Sequence, residues 1–309
     1  MRLYKTLPFF LVPLSLLLFQ RVYSQQSPLY AQYMFNGLVI NPAYAGSHES
    51  MSVSGLFRKQ WTSLDGSPST QLLTAHTPVN SKKIALGLIL LDDHIGVTQQ
   101  TGIDVAYAYR ISFSETRKLS MGLQTGYARV ASQYSNLAVK DPNDPSFSSA
   151  AASVDYLYLG TGIYYSSKRF YLGLSSPHAD RMTLSKSFST DENRQSRNYF
   201  LTSGYVFTLS PSFKLKPSML IKSTDGLSMQ ADLNCTLLYK DVFWIGASYR
   251  TFTALSFMAK IQLTNQLSAG YAYDNALGSL STVSGGGHEF MLTYNFSFFK
   301  SNVVTPRDF

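Results

Sequence analysis

What most constrains this chain is a period of two. From Ser50 to Phe298, short segments alternate apolar with polar side chains, and turn residues separate them. In Gln100–Phe113, the side chains of Ile103, Val105, Tyr107, Tyr109, Ile111 and Phe113 fall on one side, with Asp104, Ala106, Ala108 and Arg110 on the other. A helix would repeat at about 3.6, so the segment reads as strand. A long series of such strands suits a wall with lipid on one face and water on the other.

The first 24 residues read as a secretory leader: Arg2 and Lys5 form a basic start, Leu7–Phe19 an apolar stretch, and Val22-Tyr23-Ser24 a cleavage site. Mature protein then begins at Gln25, which is not a lipoprotein cysteine. Beyond that point the longest unbroken apolar run is Ile84–Leu91, eight residues. A membrane helix needs about 20. Lipid leaves only helices and closed barrels as spanning structures, so an exported chain of this pattern in a membrane is a closed barrel.

Composition agrees with this reading. Charged residues are 14% of the chain, while Tyr and Phe number 21 and 20, a bias toward interface-seeking rings. Mean hydropathy is −0.05, as alternation between lipid and water would average. The formal charge of +8 falls to +5 once Arg2, Lys5 and Arg21 leave with the leader. That charge forms no basic stripe, so no nucleic-acid partner is expected. Cys235 is the one cysteine, and its phase places it with Met229, Leu233 and Leu237 as a small apolar residue.

Strict alternation predicts about fourteen strands: Glu49–Gln60, Thr70–Thr77, Ile84–Asp92, Thr98–Phe113, Lys118–Val130, Tyr156–Tyr165, Arg169–Ser175, Arg197–Phe207, Phe213–Lys222, Leu227–Tyr239, Val242–Arg250, Ala254–Leu263, Leu267–Asp274 and His288–Phe298. Even-numbered connections are short, such as Ser114–Arg117 and Lys240–Asp241. The long ones are all odd-numbered: Trp61–Ser69, Ala131–Asp155, Ser176–Ser196 and Asn275–Gly287. Short periplasmic turns alternating with longer outer loops mark an outer-membrane barrel. In the last strand Phe290, Leu292, Tyr294, Phe296 and Phe298 face lipid. It must close against the first, whose outward set is Met51, Val53, Gly55 and Phe57. The expected fold is all-β, a transmembrane antiparallel barrel of outer-membrane type, with a barrel at 48–299 and a periplasmic tail at 300–309.

Residues 25–47 do not alternate. Asn41-Pro42 followed by Gly46 is turn chemistry, and the segment reads as a periplasmic arm, a plug in the barrel mouth or a partner-docking element.

Gln32-Tyr33-Met34-Phe35-Asn36 and Asn41-Pro42-Ala43-Tyr44-Ala45-Gly46 resemble the opening of the PorP/SprF proteins of the type IX secretion system. Arg58-Lys59-Gln60-Trp61, Gly66-Ser67-Pro68, Asp92-Asp93-His94-Ile95-Gly96, Tyr107-Ala108-Tyr109-Arg110 and Gly270-Tyr271-Ala272-Tyr273-Asp274 continue the resemblance through nearly all the mature chain. It implies an outer-membrane barrel serving type IX export. Its partners would be outer-membrane lipid and either secretion components or a secreted client such as a surface adhesin.

Strand phase points Arg58, Gln60, Asp104, Arg110, Gln124, Asp232, Lys260, Asp274 and Glu289 into the lumen, where charges stay hydrated or pair with each other. Trp61 ends a strand where an aromatic girdle belongs. With Asn41, Pro42 and Tyr44 of the arm, these residues are the candidates for lumen or partner contacts. The five histidines offer no hydrolase: His48, His94, His178 and His288 fall in or beside connections, only His76 lies within a strand, and no Gly-x-Ser-x-Gly elbow occurs. Asp141, Asn143 and Asp144 lack calcium-loop spacing because Pro142 and Pro145 interrupt them. The sequence therefore predicts no enzyme, cofactor, metal or small-molecule substrate. It favours a type IX accessory barrel that binds a protein partner, with a porin or ligand transporter as the alternative.

Overall fold

A computed structural model describes residues 29–79, 83–134, 152–186, 197–225, 227, 229–282 and 284–296. The leader, the proline-rich loop around Asp141 and the tail at 300–309 lie outside the described residues.

Fifteen strand segments form one sheet: β1 (Met51–Gln60), β2 (Ser69–Pro78), β3 (Ile84–Ile95), β4 (Thr98–Ser112), β5 (Lys118–Ser132), β6 (Ala152–Ser166), β7 (Phe170–Lys186), β8 (Asn198–Tyr205), β9 (Phe207–Thr208), β10 (Phe213–Thr224), β11 (Gln230–Tyr239), β12 (Phe243–Arg250), β13 (Ala254–Gln262), β14 (Leu267–Ala276) and β15 (Gly287–Phe296). Each pairs antiparallel with its neighbour, and β15 pairs with β1 from Met51↔Phe296 to Gln60↔Gly287, closing the barrel without a free edge. β8 and β9 are two parts of one pass, so the barrel has fourteen. They keep one register against β10, Ser218↔Gly204 and Leu215↔Phe207, and the two pairs missing between them are those of Tyr205 with Pro217 and Val206 with Lys216. Proline has no N–H to give the ladder, which explains the break.

The alternation sorts the faces. Along β4, Ile103, Val105, Tyr107 and Tyr109 are exposed, while Asp104, Ala106, Ala108 and Arg110 are buried. Cys235 is exposed on the outer face beside Leu233.

Two strands exceed the sequence expectation by the most. β6 starts at Ala152 and β7 continues to Lys186, into stretches read as loops. The alternation is hidden there because the β6–β7 ladder shifts register twice, between Asp155 and Tyr156 and again between Leu159 and Thr161, where Gly160 lies under Pro177. A Cβ on Gly160 would stand 2.0 Å from the Pro177 carbonyl oxygen. The bulge therefore requires glycine, and it erases the period over Ser175–His178.

Candidate functional site

Residues 29–48 do not hang below the barrel. They run down its lumen as three short 3-10 turns, Tyr33–Phe35, Gly37–Val39 and Pro42–Tyr44. The descent can be followed by contacts with the wall. At the outer level, the Leu29 carbonyl accepts from Arg58 Nη1 at 3.0 Å and from Arg250 Nη2 at 3.5 Å. The Ala31 and Gln32 amides donate to the two Glu289 carboxylate oxygens at 2.9 and 2.8 Å. At mid-height, Asn36 Nδ2 donates to Thr74 Oγ1 at 2.9 Å and Asn234 Nδ2 to the Tyr33 hydroxyl at 2.6 Å. Lower down, Asn41 Nδ2 donates to the Ile163 carbonyl at 3.0 Å, and Ser175 Oγ donates to that of Ile40 at 2.6 Å. Near the periplasmic rim, the Gly46 amide donates to His76 Nδ1 at 3.3 Å.

Local chemistry explains part of this path. Asn41 caps its turn by accepting from the Ala43 amide at 2.9 Å, and Pro42 occupies the first turn position, where its missing N–H is no loss. Leu38 and Ala45 are fully buried, packed with Phe35, Tyr44, Ala85, Ala106 and Met291 in the main apolar cluster. The fit is close. A Cβ on Gly122 would lie 2.2 Å from the Ala43 nitrogen, and one on Gly87 2.9 Å from Leu38 Cδ1.

Four of the expected lumen residues gather into one buried network. Arg58 Nη2 lies 2.9 Å from Asp274 Oδ2, and its Nε lies 3.7 Å from Glu289 Oε2. Arg250 Nη2 lies 3.0 Å from Asp232 Oδ2, and its Nη1 3.9 Å from Asp274 Oδ2. Ser256 donates to Asp274 at 2.6 Å. Two guanidiniums thus face three carboxylates, and the amides of Ala31 and Gln32 satisfy the remaining acceptors. Arg250 is the member that sequence reading missed. Its inward phase after Ser248 on β12 was the available signal.

The other candidates lie elsewhere. Lys260 sits between rings, its Nζ 4.9 Å from the centroid of Phe35 and 5.1 Å from that of Trp244, a cation–π clamp on the inner segment. Asp104 hydrogen-bonds Tyr158 over Gly126. Arg110 is buried at the periplasmic level near Gly46, and Gln124 is buried on β5. Asn41, Pro42 and Tyr44 are buried in the inner segment. Gln60 and Trp61 are partly buried at the outer end of β1.

Three histidines lie in strands and not in connections: His94 in β3, His178 in β7 and His288 in β15. β3 and β7 outlast the strict alternation, and β15 begins one residue earlier than expected. His94 Nε2 meets Asp92 at 3.0 Å on the outside of the barrel, and His288 Nδ1 meets the Tyr271 hydroxyl at 2.8 Å. Among the described residues no cluster of three or more His, Cys, Asp or Glu is placed to hold a metal.

The outer ends form a second feature. β4, β5 and β6 have 15 residues and β7 has 17, against 10, 8 and 9 in β11, β12 and β13. Outward positions on the long strands turn polar toward the outer loops, at Gln99, Arg129, Ser153 and Asp155. They are laced together: Gln99 donates to Asp92 at 2.7 Å and Tyr127 to Asp155 at 2.6 Å, with Arg129 Nε 4.0 Å from Asp155. Ile95, Met182 and Leu184 are exposed at the same height, so these longer strands rise beyond the shorter ones as a wall of mixed polar and apolar outer surface.

Over residues 22–294 the chain matches the model of the family described as type IX secretion system membrane protein PorP/SprF. Comparison with curated proteins gives no match. Among solved structures, the KdgM porin is 12% identical at a TM-score of 0.39, over 80% of this chain and 99% of that one. Omp33 of Acinetobacter baumannii is 8% identical at 0.48, over 80% and 98%. The CymD monoaromatic hydrocarbon channel is 10% identical at 0.47, over 87% and 93%. Likenesses at this level assign no activity.

Proposed function

The chain belongs to the PorP/SprF family of type IX secretion system membrane proteins, and on that premise we propose that it is a non-catalytic outer-membrane anchor for a secreted type IX client or for components of the secretion machinery. A client of the surface-adhesin or gliding kind fits this reading. The observation that carries it is the filled lumen. Residues 29–48 hydrogen-bond the wall at every level, from Glu289 to His76, and occupy the space a diffusion pathway would need. Binding then falls to the ends of the barrel, above all to the raised wall that carries Asp92, Gln99, Arg129 and Asp155. The same reading takes 1–24 as the export leader, 25–47 as the plug, 48–299 as the barrel and 300–309 as a periplasmic tail.

Affinity capture from detergent-solubilised outer membrane tests the proposal. Recovery of a secreted protein bearing a type IX terminal domain, or of secretion components, is the expected result. Capture must weaken when Asp92 and Asp155 are both replaced by Ala while the barrel stays folded. Recovery of bulk porins and lipoproteins alone would overturn the proposal. The porin alternative predicts stable conductance steps for the intact protein in a planar bilayer; the filled lumen predicts a closed record.

A further inference from the structure

The lipid face carries a crevice of about 560 Å³ at the periplasmic rim, walled by Phe213, Leu237, Tyr239, Phe243 and Ile245. These residues come from three adjacent strands, β10, β11 and β12, in the facing pairs Phe213↔Tyr239, Tyr239↔Phe243 and Leu237↔Ile245. All of the pairs point away from the lumen, and the Phe213 and Tyr239 rings lie 4.9 Å apart between centroids. The volume is within the roughly 300–1,000 Å³ of typical ligand sites.

At the crevice mouth stands the turn Lys240–Asp241, where both residues adopt left-handed backbone, with φ of 53° and 56°. A two-residue turn of this kind is unstrained with Asn-Gly, so a lysine there is held against backbone preference. The turn directs Lys240 back over its own strand, with Nζ 5.2 Å from the Tyr239 ring centroid. The Asp241 carboxylate points the other way, 2.5 Å from Lys214 Nζ. The crevice therefore has rim aromatic rings with Leu237 and Ile245 further in along the lipid face, and an ammonium at its mouth. The short turns on either side, residues 209–212 and 263–266, carry no charge, and Asp241 holds Lys214, so Lys240 supplies the cation at this part of the rim.

We propose that this crevice is a phospholipid site of the periplasmic leaflet, with an acyl chain between Phe213, Tyr239 and Phe243 and the phosphate on Lys240. Charge complementarity and depth select this occupant. The site opens at the periplasmic end, where the leaflet is phospholipid, and an apolar wall alone would not hold a phosphate. A basic group flanked by interface rings holds one end of an amphiphile in water and the other in hydrocarbon.

The test is native mass spectrometry of the full chain in detergent titrated with phosphatidylglycerol. Wild-type protein is expected to retain one lipid molecule through mild activation. Lys240→Glu is expected to weaken retention at least about tenfold, and Ile245→Trp, which fills the crevice, to abolish it. Lys168→Ala, on the β6–β7 turn away from the crevice, leaves retention unchanged. A heat-dependent gel shift retained by every variant confirms that the barrel is folded. Equal retention in Lys240→Glu and wild type would mean ordinary annular lipid and overturn the proposal. So would displacement by lipid A, or competition by soluble glycerophosphate, which would show an anion contact without a chain site.

Discussion

Glu289 fixes the outer end of the inner segment, because one carboxylate accepts both the Ala31 and Gln32 amides and also lies beside Arg58. Glu289→Ala leaves two buried amides without acceptors and removes one of the three acids facing Arg58 and Arg250. Breaking one side of a buried ion pair costs about 3–5 kcal/mol. The temperature at which the folded gel band converts to the unfolded one should fall sharply, and Glu289→Gln, which keeps one acceptor oxygen, should fall less. A second residue-scale prediction contrasts two glycines. Gly122→Ala forces a methyl against the Ala43 nitrogen and should destabilise the protein by about 1–3 kcal/mol, as overpacking does. Gly55→Ala meets nothing within 4 Å and should stay within about 0.5 kcal/mol of wild type in the same melt. Equal losses at the two positions would mean that the inner segment does not press on β5.

At the scale of elements, the strands were legible and the inner segment was not. Alternation marked all fourteen passes because each strand's period is written in its own residues, as in Ile103 to Ile111. It failed at Gly160 and Pro177, where a bulge resets the phase. Residues 29–48 carry no period at all. Their conformation is set by distant groups: Gln32 bonds Glu289 across 257 positions and Asn41 bonds Ile163 across 122. Their sequence could therefore announce turns at Asn41-Pro42 but not their place in the lumen. For the site, strand phase found Arg58, Asp232, Asp274 and Glu289 but not that they meet, since β1, β11, β14 and β15 come together there only through closure. The element-scale prediction is that deleting residues 29–47 behind an intact leader gives a folded barrel that conducts. Without the segment, Arg58, Arg250, Asp232 and Glu289 line a lumen that draws in water. Planar-bilayer recording should show steps for the deletion and none for the full chain; silence from both would mean that the wall itself collapses inward.

For the whole molecule, what decides is a belt of apolar side chains whose exposure makes sense only in lipid. Phe57, Leu123, Leu159, Leu174, Leu233, Phe257 and Leu292 are each 45% exposed or more, spread around the full circumference of the sheet. A water-soluble protein does not carry an apolar surface of that extent. Lipid also converts surface exposure into chemical silence, and Cys235 reports on that conversion. It is exposed on the outer face, between Leu233 and Leu237 in sequence phase, and pairs with Ala247 on β12 and Pro217 on β10. In the membrane, a charged maleimide added to intact cells or to outer-membrane vesicles should leave it unlabelled. An uncharged, lipid-soluble maleimide should reach it, and the charged reagent should label it fully once detergent and heat have unfolded the barrel. Because Cys235 is the one cysteine in the chain, the readout needs no substitutions. Rapid labelling of the native protein by the charged reagent would place β11 in water, and with it the closed, lipid-facing cylinder on which the anchoring role depends.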